Sequence, residues 1–361
     1  MKFMGRLRGI SSLIFNKDED GQVSSSSFLK NGSMLLEEII ASCNGRYNIP
    51  IRNFSAEELL KATNYFEEQL TDDAFYKIYK GSLEERLVLV KRFEEGSWST
   101  PVSPLAIRDI VITLQMSSHK NVARLFGCCL EFECPALVYD YSGNEPLINK
   151  LLYDRDRASD HDQDRLLSWK SRLSIAKDIA NVVVYLHTAL PRPVVHRNLK
   201  PTNIMVDQHG VAKLFDFSLS ISIPLGESGV GDNPVGTFGY SDPEYNQSGF
   251  VTEKTDVYSF GMLILVILTG QRVFSKDREE DEADLKAYVK KNIEKDQFTK
   301  ILVPRILGEG GGIEQEQQLR ASLALALRCL ELKGENRPEM IDVAKELRRI
   351  EKSVLFCSVR P

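Results

Sequence analysis

Apolar residues recur at regular spacings along the chain, and these spacings predict its first elements. The first 30 residues are interpreted as a flexible tail that ends in a polar linker, NKDEDGQVSSSS. A helix is predicted to follow from Asn31, with Ser33 as its N-cap. Its apolar face packs either on the rest of the chain or on a partner protein, and comprises Leu35, Leu36, Ile39 and Ile40. A second helix follows Ser55, which is placed to form a capping box with Glu58.

Other patterns predict a strand, VLVKRF, and three longer helices, SWKSRLSIAKDIANVVVYLH, VTEKTDVYSFGMLILVILTG and VAKELRRIEKS. The third of these segments is almost entirely apolar, which indicates a helix buried on all sides. The longest apolar run, FGMLILVILTG, is about half the length of a membrane-spanning helix, which needs about 20 residues. No membrane span is therefore expected.

Composition narrows the class of protein. The 361 residues are 42% hydrophobic and 27% charged, which is typical of a soluble globular chain with a sizeable core. The formal net charge of -5 gives no reason to expect nucleic-acid binding. The six cysteines form no C-x-x-C pair and have no metal-ligand spacing, so they are interpreted as reduced thiols of a cytosolic protein.

The stretch VVHRNLKPTNIMV, from residue 194 to 206, resembles the catalytic loop of eukaryotic protein kinases, H-R-D-x-K-x-x-N. Arg197, Lys200 and Asn203 keep the family's residue types and spacing. Asn198 stands where the family has the aspartate that accepts the proton of the substrate hydroxyl. Because an amide is not a base at physiological pH, this change predicts loss of general-base catalysis.

The segment LTDDAFYKIYKG lies where kinases have a glycine-rich loop over the phosphates of ATP. Aligned with that loop, the three glycine positions are occupied by Thr71, Asp73 and Tyr76. Glycine lets the backbone approach the phosphates, so the phosphate cradle is predicted to be lost. The alternative, that an unusual loop still closes over ATP, stays open. Loss of a base costs about 10²- to 10⁴-fold in rate, and loss of the cradle adds to that deficit.

The resemblance implies further nucleotide-site residues. Lys91 stands where the family has the lysine that holds the α and β phosphates, and its helical carboxylate partner falls on either Asp109 or Ile110. Two tyrosines, Tyr139 as gatekeeper and Tyr141 after it, occupy the hinge. Asp216 begins DFS where the family has D-F-G, and with Asn203 it would hold Mg²⁺ if a magnesium nucleotide binds. No cofactor is expected to be required, although weak binding of ATP and magnesium stays open.

Three residues have structural roles in the kinase family, and they indicate a folded large lobe. Glu244 stands in DPE, Asp256 lies at the start of the long apolar helix, and Arg337 resembles the arginine that pairs with Glu244. In the family, the arginine that corresponds to Arg197 binds a phosphate group on the activation loop. Asp232 replaces one of the threonines frequent there, and we hypothesise that it acts as a fixed anion at Arg197.

Together these motifs resemble the ZED-related kinases, plant cytoplasmic pseudokinases close to the wall-associated kinases. The resemblance covers the chain from about Asn31 to Leu355 and includes FSAEELLKATNYF, GCCLE and HRN. It implies an adaptor of plant immunity that binds the leucine-rich-repeat side of a coiled-coil NLR receptor. The adaptor also recruits receptor-like cytoplasmic kinases that pathogen effectors modify. It implies a cytoplasmic location, with any association with the plasma membrane made through partners.

Two other functions stay open: a slow Ser/Thr kinase, and a nucleotide-gated switch that transfers no phosphate. The predicted fold is α+β and bilobal, like that of protein kinases. The predicted divisions are a flexible tail (1–30), a helical extension (31–66), a β-rich N-lobe (67–142), a helical C-lobe (143–355) and a C-terminal tail (356–361).

Overall fold

The computed structural model describes residues 22–43, 51–73, 75–94, 101–141, 143, 145–152, 166–307 and 312–357. The apolar positions before residue 22, the charged insertion at 154–165 and the last four residues lie outside this part. The chain divides into two compact units. The first comprises residues up to Gly143 together with Asp216–Ser218, and the second comprises the remainder. Both strands and helices are present, as expected for the α+β class.

The first unit is built on a six-stranded sheet. Its elements are α1 (Gln22–Cys43), β1 (Arg52–Asn53), α2 (Ala56–Ala62), β2 (Gln69–Asp72), β3 (Tyr76–Leu83), β4 (Arg86–Phe93), α3 (Ser103–Gln115), β5 (Leu125–Cys129) and β6 (Ala136–Asp140). The strand order in the sheet is β1-β5-β6-β4-β3-β2. Strands β3 and β4 form a hairpin whose two turn residues, Glu84 and Glu85, both have positive φ. This conformation matches the twist of the paired strands.

The N-terminal helix differs from the prediction. It begins at Gln22, so the predicted tail and linker are too long, and Ser33 lies exposed inside the helix rather than at its cap. Serine costs little more than other residues inside a helix, and the helix is held by packing against α3. Its buried stripe is Asn31, Leu35 and Ile39, at i, i+4 and i+8, whereas Ile40 is 56% exposed. The Asn31 amide donates to the carbonyls of Leu130 and Phe132 at 3.0 and 2.9 Å.

The predicted helical extension also contains strand β1, which pairs in parallel with β5 and joins the sheet. Gly127 makes this possible, because a Cβ atom there would lie 2.3 Å from the Arg52 carbonyl oxygen. Phe54 follows β1 into the core and is completely buried. The capping box at the start of α2 is confirmed: the Ser55 hydroxyl accepts from the Glu58 N–H, and the Glu58 carboxylate accepts from the Ser55 N–H.

The second unit is mainly helical and is organised around α7 (Glu253–Thr269), whose residues from 255 to 269 are all buried. This confirms the predicted helix with no solvent-facing side. The elements are β7 (Glu145–Pro146), α4 (Leu147–Leu151), α5 (Trp169–Thr188), β8 (Val194–Val195), β9 (Ile204–Val206), β10 (Ala212–Leu214), β11 (Ile221–Ser222), β12 (Val230–Gly231), α6 (Pro243–Ser248), β13 (Phe250–Val251), α7 (Glu253–Thr269), α8 (Leu285–Glu294), α9 (Phe298–Ile301), α10 (Pro304–Leu307), α11 (Gly312–Cys329) and α12 (Met340–Cys357). Among the described residues, no helix has the length and apolar character needed to cross a bilayer.

Candidate functional site

Lys91 lies in the middle of the first unit's sheet. Strand β4 pairs it with Ile78 on β3 and Leu137 on β6, and its side chain is 0% exposed. The ammonium nitrogen Nζ donates to Asp109 Oδ2 at 2.7 Å and to Asp216 Oδ1 at 2.5 Å. The alternative left open by the sequence is therefore resolved: Asp109 on α3 supplies the partner carboxylate, whereas the neighbouring Ile110 is a fully buried apolar residue.

The Asp109 carboxylate is held by four donors. Besides Lys91, it accepts from the Phe217 N–H at 2.9 Å, the Thr113 hydroxyl at 3.3 Å and the Tyr139 hydroxyl at 3.4 Å. Burial raises the pKa of Asp109, and the nearby Asp216 charge adds to this, while Lys91 acts in the opposite direction. Asp109 is therefore more easily protonated than an ordinary aspartate.

Asp216 also belongs to the first unit and accepts a second bond, from the Ser218 hydroxyl at 2.6 Å. Its backbone has a φ of 67°, a left-handed conformation that is rare outside glycine. Burial lowers the pKa of Lys91, but the two carboxylates raise it by more, and the net pKa lies above the usual value. Lys91 therefore stays charged and is neutralised by groups of its own chain.

Two aromatic rings contact the Lys91 ammonium besides the carboxylates. The Tyr76 ring centroid lies 3.8 Å from Nζ, and the Phe93 centroid lies 4.7 Å from it. Tyr76 is buried, and burial raises its pKa well above the usual value. We call these five residues the lysine cluster: Lys91, Asp109, Asp216, Tyr76 and Phe93.

The other two predicted loop positions, Thr71 and Asp73, lie in β2 and directly after it. Thr71 pairs with Ile78 in the sheet, and the Asp73 N–H donates to the Tyr76 carbonyl at 3.0 Å. Of the hinge residues, Tyr139 contacts the lysine cluster through Asp109. Tyr141 instead donates its backbone N–H to the Leu87 carbonyl at 3.3 Å.

These residues do not fit a magnesium triphosphate. The amine that would bind phosphate has no exposed surface and is already bonded to two carboxylates. The Asp216 oxygen Oδ1 is taken by Lys91 and Ser218. In the first unit, Lys91 is therefore bonded to carboxylates of its own chain, whereas in an active kinase the equivalent lysine binds the nucleotide.

The predicted catalytic loop lies in the second unit and is fixed by Asp256 of α7. The carboxylate accepts from the backbone N–H groups of His196 and Arg197 at 2.8 and 2.9 Å, and it contacts the His187 ring at 2.9 Å. Burial opposes ionisation of Asp256, but these bonds and the His187 charge outweigh it, and its pKa is lowered. Asp256 thus anchors the loop as a buried anion.

The amide of Asn198 is part of this loop's internal bonding. Its oxygen Oδ1 accepts from the Thr237 hydroxyl at 2.7 Å, and its backbone carbonyl accepts from the Asn203 amide at 3.0 Å. The Asn203 N–H donates to the Lys200 carbonyl at 3.0 Å, and Lys200 is buried. The loop keeps an ordered geometry, but Asn198 offers an amide oxygen where a base would need a carboxylate.

Arg197 contacts the hypothesised anion. Its Nη1 lies 2.5 Å from Asp232 Oδ2 and 3.2 Å from the Tyr245 hydroxyl, and its Nε donates to the Leu219 carbonyl at 2.5 Å. The Tyr245 hydroxyl in turn donates to the Asn233 carbonyl at 2.7 Å. Asp232 therefore supplies an anion at this arginine without phosphorylation.

The predicted pairing of Arg337 with Glu244 is present as a longer ion pair, but Asp242 is the closer partner. Arg337 makes a bidentate bond to Asp242, at 2.6 and 2.7 Å, and lies 3.8 Å from Glu244 Oε2. Asp242 is buried at the N-cap of α6, whereas the Glu244 side chain is 50% exposed and accepts from the Gly334 N–H. A buried arginine pairs with the carboxylate that is itself withdrawn from water. The sequence contained a signal only for the N-cap role of Asp242, which precedes a proline as helix N-caps often do.

Residues 57–347 match the protein kinase domain family. "Non-functional pseudokinase ZED1" of Arabidopsis thaliana is 43% identical over 331 residues, which cover 90% of this chain and 96% of that protein. "Serine/threonine-protein kinase ZRK1" of the same plant is 41% identical over 332 residues, covering 91% and 93%. "Wall-associated receptor kinase-like 4" is 36% identical, but the match covers only 41% of its length. The chain therefore belongs to the protein kinase family, with its bilobal α+β fold, and within it to the ZED1-related kinases.

Proposed function

We propose that this protein is a catalytically impaired pseudokinase that acts as an adaptor in plant innate immunity. The observation that supports this most is the lysine cluster, in which the amine of Lys91 is bonded to Asp109 and Asp216 and covered by Tyr76. The amide of Asn198 adds a second defect, the missing base. Two relatives carry the names "Non-functional pseudokinase ZED1" and "Non-functional pseudokinase ZRK2". A folded kinase domain in which Lys91 is buried and paired suits a protein that acts by binding partners rather than by catalysis.

The proposed partners are those that the family resemblance implies. One is the leucine-rich-repeat side of a coiled-coil NLR immune receptor, and the other is a receptor-like cytoplasmic kinase that a pathogen effector modifies. The proposed location is the cytoplasm, with association with the plasma membrane through these partners. No cofactor is required for such a role.

The outer side of α1 is the surface that we assign to a partner. The buried stripe of this helix faces the chain itself, whereas Ile40 and Leu29 are more than half exposed and Leu36 is half-buried beside them. These apolar side chains are spaced at four and seven residues, so they lie along one side of the helix. An apolar stripe of this kind suits the concave face of a repeat protein.

The test is co-precipitation from plant cytosol with leucine-rich-repeat regions of coiled-coil NLR receptors and with receptor-like cytoplasmic kinases. Ile40→Glu should weaken receptor binding at least about tenfold without lowering the melting temperature, because the residue is exposed. Leu332→Glu, at an apolar residue of the second unit that is also exposed, is the matched control. Binding that is unaffected by Ile40→Glu would remove the assigned surface, and a failure to bind any such receptor or kinase would remove the adaptor role.

The alternative function is a slow Ser/Thr kinase. It is favoured by the ion pair between Lys91 and Asp109, which resembles the lysine–carboxylate pair of active kinases, and by the name "Serine/threonine-protein kinase ZRK1" of one relative. Phosphate transfer that depends on Lys91 would support it.

A further inference from the structure

The surroundings of Lys91 point to a role for this residue that differs from nucleotide binding. Four groups surround its amine: the carboxylates of Asp109 and Asp216 and the rings of Tyr76 and Phe93. They come from helix α3, from the Asp216–Ser218 segment and from the end of the β3–β4 pairing where Tyr76 faces Phe93. Since all belong to the first unit, the cluster joins three separate segments of that unit through one cation.

The charge balance of the cluster disfavours a polyanion. One buried cation already faces two carboxylates, and burial makes each of these charges costly unless it is paired. A triphosphate would bring further negative charge to the same amine. Those charges would lie beside the buried Asp109 and Asp216 carboxylates and repel them, with only one cation to balance all of them.

Tyr76 adds a steric barrier on the remaining side. A phosphate oxygen bonded to the amine would lie about 2.8 Å from Nζ, in the space on which the ring is centred at 3.8 Å. The ring is held in place, because Tyr76 is paired with Phe93 in the sheet and their ring centroids are 5.9 Å apart. A cation over an aromatic face is itself a favourable contact, so the tyrosine replaces part of what a phosphate would supply.

We propose that Lys91 is the structural cation of a sealed cluster, and that Tyr76 is the residue that excludes magnesium nucleotides from it. The first unit then holds α3 and the Asp216–Ser218 segment together without any ligand. This inference concerns only the first unit, so it stands whether or not the adaptor role holds.

The experiment measures binding of magnesium ATP to the full chain, by thermal shift and by equilibrium dialysis with labelled nucleotide. Wild type and Tyr76→Phe, which keeps the ring, should bind no nucleotide up to millimolar concentrations. Tyr76→Gly should bind at least about tenfold more tightly than Tyr76→Phe, because the ring no longer occupies the phosphate position. Adding Lys91→Met to Tyr76→Gly should abolish the gain.

Two results would overturn the proposal. Saturable binding by the wild type that Lys91→Met removes would show that the lysine serves nucleotide in the native protein. A folded Tyr76→Gly variant, checked by circular dichroism, that binds no better than Tyr76→Phe would show that Tyr76 is not the barrier. The wild-type dialysis decides the first point even if Tyr76→Gly does not fold.

Discussion

Replacing Lys91 by methionine tests the structural role of this residue most sharply. The substitution keeps much of the side chain's length and apolar volume but removes its charge. Asp109 and Asp216 then face each other in a buried site without the cation that both contact at 2.7 Å or less. In an active kinase, replacing this lysine removes a contact to the nucleotide. Here we expect the substitution to lower the stability of the fold instead.

The magnitude follows from the burial of all three groups. Removing one partner of a buried ion pair costs about 3–5 kcal/mol, because the remaining charge is left unpaired. Loss of the contact with the Tyr76 ring adds to this cost. For cooperative unfolding of the first unit, which has about 150 residues, each kcal/mol corresponds to about 2–4 °C, so its melting temperature should fall by roughly 6–20 °C. The stability difference between wild type and Lys91→Met should narrow as the pH is lowered, because protonation of Asp109, whose pKa burial raises, removes part of the uncompensated charge.

The assay is thermal unfolding of the purified chain, with Lys77→Met as control. Lys77 lies on β3 of the same sheet and pairs with Glu94 at 2.8 Å, but the two side chains are 30% and 41% exposed. Such a pair contributes at most about 1 kcal/mol, so its removal should shift the melting temperature by only a few degrees. A Lys91→Met variant that melts no lower than the Lys77→Met control would refute the reasoning.

Three further predictions concern the second unit. Asp242→Asn keeps the helix cap but breaks the bidentate pair with Arg337, so it should lower the free energy of unfolding in urea by about 3–5 kcal/mol. Glu244→Gln, at an exposed position, should lower it by about 1 kcal/mol or less. Equal losses would show that Glu244 is as important a partner of Arg337 as Asp242. Asp232→Lys should speed hydrogen exchange of residues 230–237 by about tenfold or more, whereas Asp232→Glu should not; unchanged exchange in the lysine variant counts against the fixed anion. Because the pKa of Asp256 is lowered from 3.8, its contribution to stability is present above that pH and lost as the pH falls through the folded-state value. Asp256→Asn should therefore be less stable than wild type at pH 7, and the difference should shrink in acid; a constant difference from pH 7 to about pH 2 would exclude this linkage.

Patterns of local sequence predicted much of the fold. The capping box at Ser55, the wholly buried helix α7 and the order of the motifs each depend on residue types at fixed spacings. The start of α1 was missed, because its serines favour neither helix nor linker strongly and packing on α3 decides the outcome. Strand β1 was missed because two residues carry no periodicity, and the small residue that admits them, Gly127, lies 75 positions after Arg52.

At the candidate site, residue types were predictable but partners were not. The sequence placed Lys91 and Asp216 correctly in the motif order but left Asp109 and Ile110 equivalent, since only the rotation of α3 decides which one faces the lysine. It also placed Tyr76 at a lost glycine position of the loop, but it did not show that the ring lies directly over the Lys91 amine. The preference of Arg337 for Asp242 depends on burial, which sequence order does not report.

The most direct test of the central claim is transfer of labelled phosphate from magnesium ATP to the protein itself or to a generic protein substrate. The account predicts that wild type incorporates no more label than Lys91→Met assayed below its melting temperature. It also predicts that Asn198→Asp, which restores a carboxylate, stays equally inactive, because the lysine cluster remains closed. Incorporation by the wild type that Lys91→Met abolishes would contradict the account.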